Sequence, residues 1–370
     1  MATLYVHIPF CESRCVYCGF YSTTLLEQRQ RYIDALCKEL EARSEQPERI
    51  TSIYLGGGTP SQLPPAQLEQ LLSHIYNRYQ IVPDAEVTIE CNPDDMTDDY
   101  AHSLRALPVN RVSMGAQTFD DQRLHFLHRR HKALQVPQAV ERLRQAGIGN
   151  ISIDLMYGFP DETLADWERD IHAALSLGVE HLSAYCLMYE EGTQLYRLLQ
   201  QGQIHETDEE TERQMYELLM ERLATAGYEH YEISNFARPG RRSRHNSSYW
   251  NDTPYIGLGA AAHSYDGRCR SWNVADLQEY MRRIEHGESP VEDSELIEGW
   301  TRYNDRVTVA LRTCEGLDLN TLTESQRDYC TQTARRFLDD GLLRIESSHL
   351  MLTRRGLFVS DMVMSELMNV

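Results

Sequence analysis

Three cysteines, Cys11, Cys15 and Cys18, stand in a CxxxCxxC spacing near the start of this 370-residue chain. Thiolates are soft ligands that suit zinc or an iron-sulfur cluster. A closed structural zinc site takes four protein ligands, yet no fourth Cys or His follows nearby. His7 lies upstream in an apolar run, and Phe20 stands where a fourth cysteine would extend the spacing. A four-iron cluster held by three thiolates keeps one iron open, which makes it a site of chemistry rather than a plain electron carrier. Zinc, or three buried thiols, is the plainer alternative.

The segments around these sulfurs must hold them in place. The runs LYVHI, SIYLG, EVTIEC, RVSMGAQ, ISIDLMYG and HLSAYCLM read as strands, each followed by amphipathic or connecting sequence. Such repeated βα units predict a parallel sheet. Residues 28–43, 66–79, 133–146 and 164–177 carry apolar side chains at helical spacing, two of the runs ending at Gly147 and Gly178. A further helix is expected after Thr207, with Glu210 completing a capping box and Gly227 as the stop. A full barrel needs eight strands, and no seventh or eighth unit precedes the change of pattern near residue 228. The expected fold is therefore α/β, an incomplete (β/α)6 barrel. The cysteine loop follows the first strand, on the face where such barrels carry function.

We divide the chain into 1–227, the partial barrel; 228–289, loops and short strands expected to lie over the barrel's open side; and 290–370, a smaller, mostly helical domain. In the last part, GLLRIESSHLMLTRRG signals two strands between helical runs, which resembles a winged helix. Its plainest role is packing, because 36 basic against 56 acidic side chains give a net charge of -20 that repels phosphate backbones and anionic lipid headgroups. Nucleic acid is excluded as a main partner. MATLYVHIPF turns polar too soon for a signal peptide or membrane helix, which predicts a cytoplasmic protein with no integral membrane segment. Nine cysteines in such a chain argue for metal binding or burial over disulfides, and Cys37, Cys91, Cys186, Cys269, Cys314 and Cys330 read as structural.

Several polar or glycine positions sit at strand ends, where they would face one cavity. Gly57, Gly58 and Thr59 follow the second strand, where bare backbone lets a ligand approach. Glu90 ends the third strand, Gln117 the fourth, and Asp154 lies in the fifth, with Arg129 nearby in LHRRH. Each has an ordinary alternative as a loop or core residue. IGLGAAAH imitates a dinucleotide fingerprint but lies in no βαβ unit, so that reading is rejected.

The segment YVHIPFCESRCVYC resembles the opening of radical S-adenosylmethionine (SAM) proteins of the oxygen-independent coproporphyrinogen oxidase class, and the likeness extends over nearly the whole chain. It implies a [4Fe-4S] cluster on Cys11, Cys15 and Cys18, with SAM on the open iron. It further implies that Gly57, Gly58, Thr59 and Glu90 face SAM, that Tyr5 and Tyr17 pack near it, and that Gln117, Arg129 and Asp154 bind a second SAM or line that space. The oxidases read CxxxCxxCxC and carry a longer N-terminal extension, whereas Phe20 stands here and only four residues precede Tyr5. RHNSSYWN, with His245, Asn246, Tyr249 and Trp250, instead resembles the HNxxYW signature of the HemW heme chaperones. That likeness implies heme as ligand, His245 as its candidate axial ligand, a heme-acceptor protein, and an electron donor such as a flavodoxin or ferredoxin. Oxidative decarboxylation of coproporphyrinogen III is the alternative activity.

Overall fold

A computed structural model describes residues 1–43 and 49–369. Six parallel strands come first: β1 (Ala2–Ile8), β2 (Arg49–Gly57), β3 (Gln80–Cys91), β4 (Arg111–Gln117), β5 (Ile151–Tyr157) and β6 (His181–Cys186). They lie side by side in sequence order, as repeated βα units require. β1, β4 and β5 are buried at all but one position each, as strands covered on both faces are, with Thr3, His7, Arg111, Ser113, Gln117 and Ser152 among the buried residues. The interruptions are Tyr5, Gly115 and Asp154. Helices at Arg29–Arg43, Pro65–Arg78, Gln135–Gln145 and Leu164–Ser176 match the predicted spans closely. They seal the sheet with residues such as Leu36, Leu71, Val140 and Ile171.

The helix Glu209–Thr225 is capped one residue later than predicted, by Asp208. Asp208 accepts from the Thr211 N–H at 3.0 Å, while the Thr207 hydroxyl donates to the Phe159 carbonyl at 3.0 Å. A carboxylate at the helix start also answers the helix dipole, and Thr207 is left to hold the loop.

The stretch of loops and short strands after residue 227 extends the sheet at both edges. β7 (Glu229–Glu232) and β8 (Asn235–Ala237) form a hairpin that joins β6 antiparallel through β8. β9 (Tyr255–Leu258) runs parallel against β1, followed outward by β10 (His263–Tyr265), β11 (Cys269–Asn273) and β12 (Val291–Leu296). An unclosed parallel sheet leaves bare N–H and C=O rows at its two edges, and these strands pair with them. β12 reads VEDSEL and is mostly exposed, so its charges blunt the final edge. It also carries the sheet past residue 289, where that stretch was expected to end.

The C-terminal body has its own core around Tyr303, Val307, Phe337, Leu350 and Leu367. The helices Gly299–Ala310 and Glu324–Asp339 flank β13 (Leu317–Asp318), and β14 (Leu343–Glu346) and β15 (His349–Leu352) make the hairpin of a winged-helix-like unit. The loop after its first helix bonds to β7: Ile233 N–H to the Arg312 carbonyl at 3.0 Å and Cys314 N–H to the Tyr231 carbonyl at 3.1 Å. No helix among the described residues is long and apolar enough to cross a membrane.

Candidate functional site

The cysteine loop is pinned where β1 ends. Cys11 N–H bonds the Thr23 carbonyl at 2.9 Å, Val16 N–H the Leu127 carbonyl at 3.2 Å, and Leu195 N–H the Val16 carbonyl at 2.9 Å. Val16 is buried in a small apolar cluster with Leu127, Phe159 and Leu195. These ties leave Cys11, Cys15 and Cys18 as free, half-buried thiols on the wall of a cavity of about 600 Å³. Burial raises the Cys11 and Cys18 thiols above their ordinary value. Among the described residues no three His, Cys, Asp or Glu side chains gather around a single-ion site.

The glycines after β2 are explained by close approach. A Cβ on Gly58 would lie 2.7 Å from the Pro9 carbonyl carbon, and one on Gly57, whose φ is +112°, would strike the His7 ring. Without side chains the turn lies against the end of β1, through Gly58 N–H to the Ile8 carbonyl at 2.9 Å and Thr59 N–H to the Phe10 carbonyl at 2.8 Å. Thr59 then reaches Cys11, its hydroxyl 3.5 Å from Sγ.

Strand register places the polar groups. Glu90 on β3 pairs with Ser113 on β4, and Gly115 pairs with Asp154 on β5, which in turn pairs with Ser183 on β6. Glu90 accepts from the Tyr54 hydroxyl at 2.7 Å and from the Gly57 N–H at 3.1 Å. Burial pushes its carboxyl up to about 7 against those two bonds, and burial raises Asp154 too. Gln117 sits in the left-handed region at φ 66°, beside a break in the β4–β5 register, so its backbone is strained where it meets the cavity. Arg129 donates to the Asn92 side chain at 2.8 Å, to the Gly115 carbonyl at 2.6 Å and toward Cys15 Sγ at 3.6 Å. Its buried Nε has no partner. A buried guanidinium with a spare donor beside three thiols suits an anionic centre and a carboxylate-bearing ligand.

Cys11, Cys15, Cys18, Tyr17, Gly57, Gly58, Thr59, Glu90, Gln117, Arg129 and Asp154 therefore share one wall. Tyr5 stands behind it, stacked on Tyr54 with centroids 6.3 Å apart and its hydroxyl 2.9 Å from His7 Nδ1. His245 is also behind it, only 1% exposed. Its Nδ1 lies 2.9 Å from the Ser52 hydroxyl and its Nε2 3.0 Å from the Tyr249 hydroxyl, and burial lowers the imidazole to about 3. As folded, both ring nitrogens are engaged, so the ligand role expected of it requires one of the two contacts to open. The reason is the short helix Arg244–Tyr249: the buried Glu86 carboxylate accepts its His245 and Arg244 N–H groups at 3.0 and 3.1 Å, drawing the imidazole inward.

Sequence reasoning missed Tyr54, Asn92, Ser113 and Ser183 on this wall; Asn246 of the HNxxYW segment lines it, and so do Cys91 and Cys186, read as structural. The signal for Tyr54 was its place in SIYLGGG, one alternation before Gly56. Phe20, Tyr185 and Met188 are exposed large apolar residues at the mouth.

Residues 5–174 match the Radical SAM superfamily and residues 297–359 the HemN C-terminal domain. Over 372 residues the chain is 36% identical to "Heme chaperone HemW" of Bacillus subtilis (strain 168), spanning 98% of each chain. This chain belongs to the HemW family. A second HemW relative, from Mycobacterium tuberculosis H37Rv, is 34% identical over 99% of this chain and 94% of its own. The bovine "Radical S-adenosyl methionine domain-containing protein 1, mitochondrial" is 30% identical over 100% and 87%. The HemW fold here superposes on coproporphyrinogen III oxidase (HemN) of Escherichia coli with a TM-score of 0.86, covering 99% and 90% of the chains, at 22% identity. That likeness concerns the fold alone.

Proposed function

We propose that this protein is a heme chaperone, which binds heme and passes it to an acceptor protein. It would carry a [4Fe-4S] cluster on Cys11, Cys15 and Cys18, with SAM on the open iron. The reading is carried by one observation: end-to-end likeness to heme chaperones in a chain whose three thiols line one cavity. A cluster held there would supply an open iron for the amino acid end of SAM and a one-electron reductant beside its sulfonium.

The chain's own groups define how such a ligand would lie. Glu90 offers a carboxyl beside the Gly57 backbone for an ammonium group, and Arg129 presents its spare Nε to a carboxylate. Gln117 and Asp154 border the remaining space, and Tyr17 lines the wall beside the sulfurs. The exposed Phe20, Tyr185 and Met188 form an apolar rim suited to a porphyrin face. A flavodoxin or ferredoxin would deliver the electron, and the cytoplasm is the proposed setting.

The test is anaerobic incubation of reconstituted protein with SAM, reductant and either heme or coproporphyrinogen III. Bound heme that moves to an apo-acceptor, with no vinyl product, is the expected result. Product at a catalytic rate would instead make the protein an oxidase.

A further inference from the structure

The HNxxYW segment does not hang over the cavity. Its short helix is drawn by Glu86 against β3, Ser243 caps it by accepting from the Asn246 N–H, and His245 and Asn246 approach the cavity from behind and beside it. His245 lies flat on Tyr54, centroids 5.0 Å apart and planes 25° from parallel. Tyr54 has one hydroxyl, and it donates to Glu90. Glu90 spends its other oxygen on the Gly57 N–H, in the turn that reaches Cys11 through Thr59. Ser52 and Tyr249 fix the imidazole from its two nitrogens, so the ring cannot turn without breaking a buried bond.

We propose that His245 is a positioning residue: by clamping Tyr54 it fixes the Glu90 carboxyl, so the HNxxYW segment shapes the cofactor-facing wall instead of offering its imidazole to iron. The chain of contacts runs Tyr249, His245, Tyr54, Glu90, Gly57. Asn246 is the residue of the segment that meets the cavity itself, and its side-chain amide makes no hydrogen bond to the described residues. The inference rests on the cavity being the SAM site for its binding arm alone.

Three measurements test it. In cluster-loaded protein, His245→Ala and Tyr54→Phe should each weaken SAM binding roughly tenfold, the worth of one hydrogen bond to a charged group. The double variant should be no worse than Tyr54→Phe, because both act through one path. In cluster-free protein held in mildly acidic buffer, the infrared band of protonated Glu90, identified by its loss in Glu90→Gln, should shift in His245→Ala. Tyr249→Phe removes a single hydroxyl and should shift that band in the same direction, which keeps the test alive should His245→Ala not fold. Heme stoichiometry and the Soret position should be unchanged in Tyr249→Phe and His245→Ala. An unmoved Glu90 band, additive losses, or a Soret band lost with SAM affinity intact would overturn the proposal. Failure of the wild type to bind SAM would sink the cofactor reading and leave the infrared arm to decide this one.

Discussion

Gly58→Ala should detach the turn after β2 from the cysteine loop. The new Cβ would sit 2.7 Å from the Pro9 carbonyl carbon and 2.9 Å from the Ile8 and Pro9 carbonyl oxygens. Ordinary contact begins near 3.4 Å, so the two backbones must part by about 0.7 Å. The Gly58–Ile8 and Thr59–Phe10 bonds, now 2.9 and 2.8 Å, would stretch to about 3.5 Å, beyond useful hydrogen-bond length. Strain of about 1–3 kcal/mol for overpacking, or two bonds at about 1 kcal/mol each, sets the penalty near 2 kcal/mol. That corresponds to roughly a thirtyfold loss of the arrangement in which Thr59 reaches Cys11. The assay is iron and sulfide per chain after anaerobic reconstitution, followed by the dissociation constant for SAM, with circular dichroism to confirm the fold. Gly149→Ala, with nothing within 4 Å of its added carbon, is the control. Wild-type iron content and SAM affinity in Gly58→Ala would refute the close-approach argument.

Cys15→Ser combined with Cys18→Ser should abolish iron and sulfide binding and leave the circular dichroism spectrum intact; unchanged metal content would place the cluster elsewhere. Burial raises Glu90 and Glu162 from 4.5 to about 7, so folding takes up protons in that window. Stability should therefore be greatest below about pH 4.5 as far as these two groups go, and fall as the pH rises toward about 7. Urea midpoints across that range should show a flatter slope in Glu162→Gln, and an identical slope would refute the burial cause. Glu39, 1% exposed, accepts from Gly259 N–H, Asn273 and Tyr280 and pairs with Arg43, so Glu39→Ala should cost about 3–5 kcal/mol and lower the thermal midpoint. A midpoint within a degree or so of wild type would show that those donors find other partners.

The parallel half of the sheet was legible because its strands are buried on both faces and its helices carry continuous apolar stripes. Short strands were expected in 228–289, but not that β7 to β12 would join the main sheet at its two edges. They are short, and their place in the sheet is set by pairing with the parallel strands, as with Tyr255 opposite Thr3 and Phe236 opposite Leu182. At the site, the cysteines and Glu90 announced themselves by type and by place at a strand end. Tyr54 and Ser183 did not, because a tyrosine or serine in a strand becomes a cavity residue only once register is fixed. His245 was singled out by the likeness of its segment to the HNxxYW signature, and its burial behind the wall, drawn by the Glu86 carboxylate, was not legible because Glu86 is distant in sequence.

The bonds from the 312–314 loop to β7 have a bearing on dissection of the chain. A fragment cut before the C-terminal body would leave Ile233 N–H and the Tyr231 carbonyl facing water on a bare strand, open to a neighbouring molecule's edge. Tyr231 also holds His181 through its hydroxyl at 2.7 Å and accepts the Ser243 N–H at 3.3 Å. Loosening that tyrosine would slacken the anchorage of the HNxxYW helix, so amputating the tail would be felt as far away as the barrel's inner wall.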